Sequence, residues 1–229
     1  MKYAIKFIQL SVLVMFLCLM IPFNAEASEK KVYITFDDGP TFITEKFLDV
    51  LKNENVKATF FVVGKEVQGR EAILKRIYEE GHAIGLHTYS HNLRKIYRND
   101  EYFIEEMVKT SEKIKEVTGN SPKIIRFPGG SSKRLNQNLL NSIHAKGFKI
   151  YDWTSDIYDG EYPKLSVYRF VENSKKSKGD PSKVIILMHC NSNNKNTVKA
   201  LPQIIKYYRE SGYDILPINE DTEEYYYKF

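Results

Sequence analysis

The sequence of 229 residues holds only two cysteines. Cys18 lies in an apolar N-terminal run, and without that run Cys190 has no partner, so an internal disulfide is excluded. Stability therefore has to come from a hydrophobic core. No block of lysine and arginine with interleaved aromatics is present, and the formal charge is only +5, so nothing points to a nucleic-acid partner. There is no internal repeat and no long linker, since residues 174–181 make at most a polar loop. Long apolar runs are scarce too: residues 7–23 alone approach a membrane span, near its short limit.

Lys2 and Lys6 precede that run and Ala25-Glu26-Ala27 follows it, in the order of a basic region, an apolar region and an A-x-A cleavage site. The reading is a signal peptide over residues 1–27, cut after Ala27 and touching the membrane only in transit. An uncut membrane anchor is the alternative. Residues 28–229 then form the mature domain. Its composition, 42% hydrophobic and 28% charged for the whole chain, is ordinary for a globular protein. Aromatic residues reach 13%; most such rings serve a core, although they can also stack on sugar faces.

Short apolar, β-branched or aromatic runs cover residues 32–36, 58–64, 83–87, 123–127, 149–154, 184–189 and 213–218. Between them lie amphipathic patterns of helical period over 44–53, 66–80, 100–118, 136–146, 165–177 and 196–211. Alternation of this kind predicts parallel strands with crossover helices. Seven strands in one unit favour an α/β fold of the (β/α) barrel type, distorted and incomplete, over two domains.

Polar residues gather where these strands end. Asp37-Asp38, His87, Arg126, the pair Asp156 and Asp159, and His189 all sit at or just beyond C-terminal strand ends, which share one face in a parallel barrel. Two adjacent carboxylates repel and call for a cation, yet Asp-Gly and Gly-Pro are also ordinary turn formers. His87 and His91, four apart, would meet on a helical turn and with Asp38 make a two-histidine, one-carboxylate metal set with positions open to water and substrate. Zinc leads the candidates; cobalt or another divalent metal stays open. Asp37 could take a proton, or serve as a further ligand or a turn residue. Arg126-Phe127-Pro128-Gly129-Gly130 offers a cation and backbone N–H groups for an oxyanion, or is simply a turn. His189, beside a carboxylate, could act as general acid, or be a structural core histidine.

In this order, T-F-D-D-G-P, H-T-Y-S-H, R-F-P-G-G, W-T-S-D-I-Y-D and L-M-H resemble the motifs of the NodB-like polysaccharide deacetylases of carbohydrate esterase family four, from about Lys31 to Ile218. The resemblance implies a distorted (β/α) barrel and hydrolysis of N-acetyl groups on N-acetylglucosamine units. It implies Asp37 as general base, Asp38, His87 and His91 as metal ligands, and Arg126 as support for the base. Pro128 would shape the groove, the Gly129 N–H would face the oxyanion, and Leu187 would line the acetyl pocket. His189 would protonate the leaving amine, tuned by Asp159. The substrate expected is cell-wall glycan, foremost peptidoglycan, and the protein would be secreted or cell-wall associated. A chitin-oligomer or exopolysaccharide deacetylase and a non-catalytic glycan-binding module are the alternatives. The chain departs from the family at Gly129, where tyrosine is common, at Gly160, where tryptophan is common, and at Cys190, where aspartate is common. Cys190 itself is either an oxidisable thiol or a small buried residue.

Overall fold

The computed structural model describes residues 30–228; the expected leader lies outside the described residues. The fold is built around β1, Lys31–Gly39. Its residues alternate between two buried faces, as a strand of a parallel sheet covered on both sides must. Val32, Ile34 and Phe36 are fully buried in the larger core, under the helices. Tyr33 packs the other way, with Phe61, Ile124, Tyr151, Ile185 and Ile218. Those side chains fill the inside of the curled sheet, and Thr35 and Asp37 continue their face toward its C-terminal end.

Around β1 the strands are β2 (Thr59–Val62), β3 (Ala83–Leu86), β4 (Ile124–Ile125), β5 (Lys149–Ile150), β6 (Ser155–Asp156), β7 (Lys183–His189) and β8 (Asp214–Ile215). The order is β5-β4-β3-β2-β1-β7-β6, with β8 on the first residues of β1. All these pairings are parallel. The α/β fold is therefore the expected one, a curled and incomplete (β/α) barrel. β7 runs along β1 from Lys31↔Lys183 to Asp37↔His189.

The helices are α1 (Thr44–Asn53), α2 (Glu71–Glu79), α3 (Leu93–Ile96), α4 (Asp100–Thr118), α5 (Gln137–Ala145), α6 (Val167–Ser174) and α7 (Lys195–Glu210). α1 and α4 have the bounds that their periodicity predicts. In α4 the start is marked by Asn99, whose side chain accepts from the Tyr102 N–H, and the end by Gly119 at φ 75°. The helix expected over 66–80 is corrected. Its first turn is a 3₁₀ segment, Gly64–Val67, and the chain breaks at Gly69, φ 75°, before α2 begins. The strand expected over 149–154 stops at Ile150, and β6 and α3 were not anticipated. None of the described helices is long and apolar enough to cross a membrane.

β5 and β6 do not pair, so the sheet has an open seam. The segment after β8 fills it. Tyr151 bridges Tyr225 in parallel, the Asp152 N–H donates to Tyr225 O at 2.7 Å, and the Tyr225 N–H donates to Ile150 O at 3.1 Å. The Tyr151 hydroxyl donates to Thr222 O at 2.6 Å. Tail and strand edge satisfy backbone groups that would otherwise be left unpaired.

Candidate active site

Neighbouring residues on a regular strand point to opposite faces, yet Asp37 and Asp38 both line one cleft of about 440 Å³. The cause is local: the β1–β2 register slips between Asp37 and Gly39, and Asp38 adopts φ 72°. The bulge turns the second carboxylate to the side of the first. Asp37 is 2% exposed and its Oδ1 accepts from Arg126 Nη1 at 2.9 Å.

Arg126 is wholly buried and is not among the residues that line the cleft. Its Nη1 also donates to Thr35 Oγ1 at 2.7 Å, Nε to Tyr151 O at 2.7 Å and Nη2 to Asp152 O at 3.2 Å. The guanidinium lies over the Phe61 ring, 4.1 Å from its centroid. A buried cation so saturated fixes the orientation of the Asp37 carboxylate. The oxyanion role open to Arg126 on sequence grounds does not match this placement.

His87 and His91 do meet, but not on a helical turn. The loop after β3 passes through left-handed Thr88, φ 63°, and His91, φ 50°. It is held by a residue that the sequence did not single out: buried Glu106 on α4 accepts from the Tyr89 and Ser90 N–H groups at 3.0 and 2.6 Å. His87 Nδ1 lies 2.9 Å from Arg126 O, which must accept; the proton is therefore on Nδ1, and Nε2 offers its lone pair to the cleft. Burial, helped by the neighbouring His91, pushes the His87 pKa down to about 3, so the ring stays neutral. His87 Nε2 stands 3.7 Å and His91 Nε2 3.4 Å from Asp38 Oδ1. The three potential ligand atoms all lie within 4.8 Å of one another. Around a tetrahedral zinc with bonds of about 2.0–2.1 Å, ligand atoms stand roughly 3.4 Å apart, so this set fits a metal ion. Asp38 Oδ2 accepts from Asn191 Nδ2 at 3.3 Å, an orienting bond of the kind that metal-binding carboxylates receive.

Opposite Asp37 in the β1–β7 register stands His189. Its Nδ1 is 2.8 Å from Asp159 Oδ1. Asp159 is fully buried, and its Oδ2 accepts from the His189 N–H at 3.0 Å, Thr197 Oγ1 at 2.7 Å and Asn194 Nδ2 at 3.1 Å. Burial by itself would lower the His189 pKa, but the hydrogen bond and charge of Asp159, joined by Asp37 and Asp38, raise it to about 9. The imidazolium is the neutral-pH form. The ring also explains Gly160: a Cβ there would stand 2.6 Å from His189 Cε1.

Leu187 and Gly129 line the cleft with Trp153, Asp156 and Tyr158. Gly129 has φ 74°, a conformation that disfavours a side chain. Pro128 is buried behind it. The Pro128 carbonyl accepts from Tyr97 Oη at 2.9 Å and from Arg134 Nη1, which also donates to Gly130 O at 3.0 Å. Asp156 is held above the usual carboxylate range by burial, against the Tyr158 N–H that it accepts. Cys190 is buried with its thiol pKa pushed up by that burial, which matches the small core residue rather than the oxidisable thiol. Glu106, Asn191, Thr197 and Arg134 carried no sequence signal, because each acts from another element through a contact that only folding creates.

The chain matches the family model for polysaccharide deacetylases over residues 24–151. It is 38% identical over 206 residues to a peptidoglycan-N-acetylglucosamine deacetylase of Bacillus cereus, covering 88% of this chain and 74% of that protein. Among solved structures it is similar to a polysaccharide deacetylase from Bacillus cereus, with a TM-score of 0.78 and 36% identity over 85% of this chain and 95% of the other. A CE4 esterase from Streptococcus mutans gives a TM-score of 0.79 and 31% identity over 83% and 87%. Fold, cleft and family model agree: the chain belongs to the polysaccharide deacetylase family.

Proposed function

We propose that this protein is a secreted, metal-dependent N-deacetylase that hydrolyses the N-acetyl groups of N-acetylglucosamine units in peptidoglycan. One observation carries the reading. A histidine pair with Asp38 stands beside a separate, Arg126-anchored carboxylate, and a protonated histidine faces both across one cleft. Asp38, His87 and His91 would hold the divalent ion, zinc first among the candidates. Once bound, it would polarise the amide carbonyl and make water more acidic.

The residues of the chain do the rest. Asp37, aimed by Arg126, takes a proton from the attacking water as the water oxygen bonds to the amide carbon. The Gly129 N–H, exposed in a loop clamped by Arg134, faces the oxygen on which charge develops. Leu187 bounds the space for the acetyl methyl. His189 gives its proton to the nitrogen as the carbon–nitrogen bond breaks, so the products are acetate and a free sugar amine. Asp159 holds the ring in the orientation and charge that this step needs. The leader expected over residues 1–27 and the peptidoglycan deacetylases among its relatives support the location and the substrate.

The test is acetate release from N-acetylated peptidoglycan fragments. Asp37→Asn keeps the Arg126 contact in shape but removes the base, and should lower kcat by at least about 10²-fold. Chelation of divalent metal should abolish release, and adding metal back should restore it. Unchanged rates in both experiments would falsify the mechanism.

A further inference from the structure

Beside the catalytic cleft lies a second cavity of about 630 Å³. Trp153, Asp156 and Tyr158 line both and form the shared wall. Its other side comes from Lys176, Ser177 and Lys178, just after α6, and from Tyr227 in the tail. The Trp153 and Tyr227 rings meet edge to face with centroids 5.7 Å apart, and Tyr227 Oη donates to Trp153 O at 2.8 Å. The lysine segment is tied down as well. The Lys178 N–H donates to Thr154 O at 2.8 Å, and Ser177 Oγ to Thr154 Oγ1 at 3.0 Å.

Charge sets this cavity apart. Nearby Lys175 and Lys183 are engaged by Glu172 and Glu223. Among the described residues, no ion pair engages Lys176 or Lys178; Lys176 Nζ reaches only the amide oxygen of Asn173, at 3.4 Å. The one carboxylate on the wall, Asp156, gives Oδ1 to the Tyr158 N–H at 2.6 Å. Two ammonium groups that form no ion pair among the described residues, lining one cavity with a fixed aromatic corner, suit a sugar ring that bears a negative charge.

We infer that this cavity is a neighbouring-sugar subsite. It takes the residue next to the reacting N-acetyl sugar and favours one that bears a carboxylate, as a muramic-acid-type unit does, through Lys176 and Lys178. The inference rests on the glycan-deacetylase reading and adds a source of selectivity to it. The tail supplies part of the subsite from beyond the stretch that carries the family motifs.

Two N-acetylated tetrasaccharides separate the possibilities: one all N-acetylglucosamine, the other alternating with N-acetylmuramic acid. On metal-loaded enzyme, kcat/KM should favour the carboxylate-bearing glycan by roughly fivefold to tenfold, the scale of two partly exposed ion pairs. The preference should shrink at high salt, vanish when the carboxylate is methyl-esterified, and vanish in Lys176→Ala/Lys178→Ala. A preference that survives esterification or the double substitution, or no preference in the parent enzyme, overturns the inference. If neither glycan releases acetate, the deacetylase reading itself fails. The subsite is then judged by fluorescence of Trp153, the chain's single tryptophan. Titration should saturate at about fivefold lower concentration with the charged glycan than with the neutral one, and only with both lysines present. Equal titrations sink it.

Discussion

Asp159 is the most committed carboxylate of the site, since both of its oxygens are engaged and none of its surface meets water. Its charge is what keeps His189 protonated against the pull of burial. In Asp159→Asn the charge is gone and an NH2 group replaces one of the two accepting oxygens, so the His189 pKa should fall from about 9. The group must be protonated to act, and activity is therefore lost as pH rises through its pKa. The alkaline limb of the kcat/KM profile should move to lower pH by at least about one unit, the usual effect of an opposite charge at this range. A limb that stays in place would reassign the proton donor. Gly160 works at the same scale through space alone. In Gly160→Ala the methyl would meet the His189 ring, with three ring atoms within 3.0 Å, so the ring must turn off Asp159. We expect kcat to drop by about 10-fold or more with melting little changed, as steady-state rates and a thermal scan would reveal. In this chain, with His189 where it is, the position at which the family pattern often has tryptophan has no room for a side chain.

At the scale of elements, the loop between β3 and α3 gathers both histidines, and α4 holds it there through Glu106. In Glu106→Ala the Tyr89 and Ser90 N–H groups lose their acceptor. Supporting residues of this kind are typically worth 10–100-fold in metal affinity, and a titration of metal content against a chelator should show a loss of that size. An unchanged affinity would make Glu106 a mere packing residue. This loop also shows where sequence reading stops. α1 and α4 were legible to the residue, because amphipathic period and turn residues at their ends act locally. The positions of Asp37, His87, Arg126 and His189 were legible too, since parallel strands put all their C-terminal ends on one face. Strands of two residues, such as β4 to β6, are too short to carry a period. The left-handed backbone at Asp38, Thr88 and His91 is fixed by partners distant in sequence, so a helical turn was expected where a loop stands.

For the whole molecule the decisive feature is the seam between β5 and β6, invisible in the sequence because tail residues such as Asn219 and Thr222 fit no strand or helix period. Buried Asp152 joins three parts there: it accepts from the Ser131 N–H at 3.1 Å and from the Ser131 hydroxyl, and from the Tyr227 N–H at 3.0 Å. Removing residues 223–229 should uncover Tyr151 and leave Asp152 short of one donor. The expected cost of about 2–3 kcal/mol corresponds to a fall in Tm of roughly 5–10 °C for a chain of this size, measurable by circular dichroism. A melt identical to the intact chain would mean the tail only lies along the edge. The pairing of Asp37 with His189 has a consequence for biosynthesis. A ribosome makes the proposed base early and the proposed proton donor late, and the strand pairing that unites them cannot form until β7 has emerged. A prematurely terminated product that ends between His91 and β7 carries the carboxylates and the histidine pair but not His189, and one ending before Tyr225 lacks the bridge at the seam. Products cut short of β7 should therefore release no acetate, whereas loss of the tail alone should cost stability and leave the site residues in place.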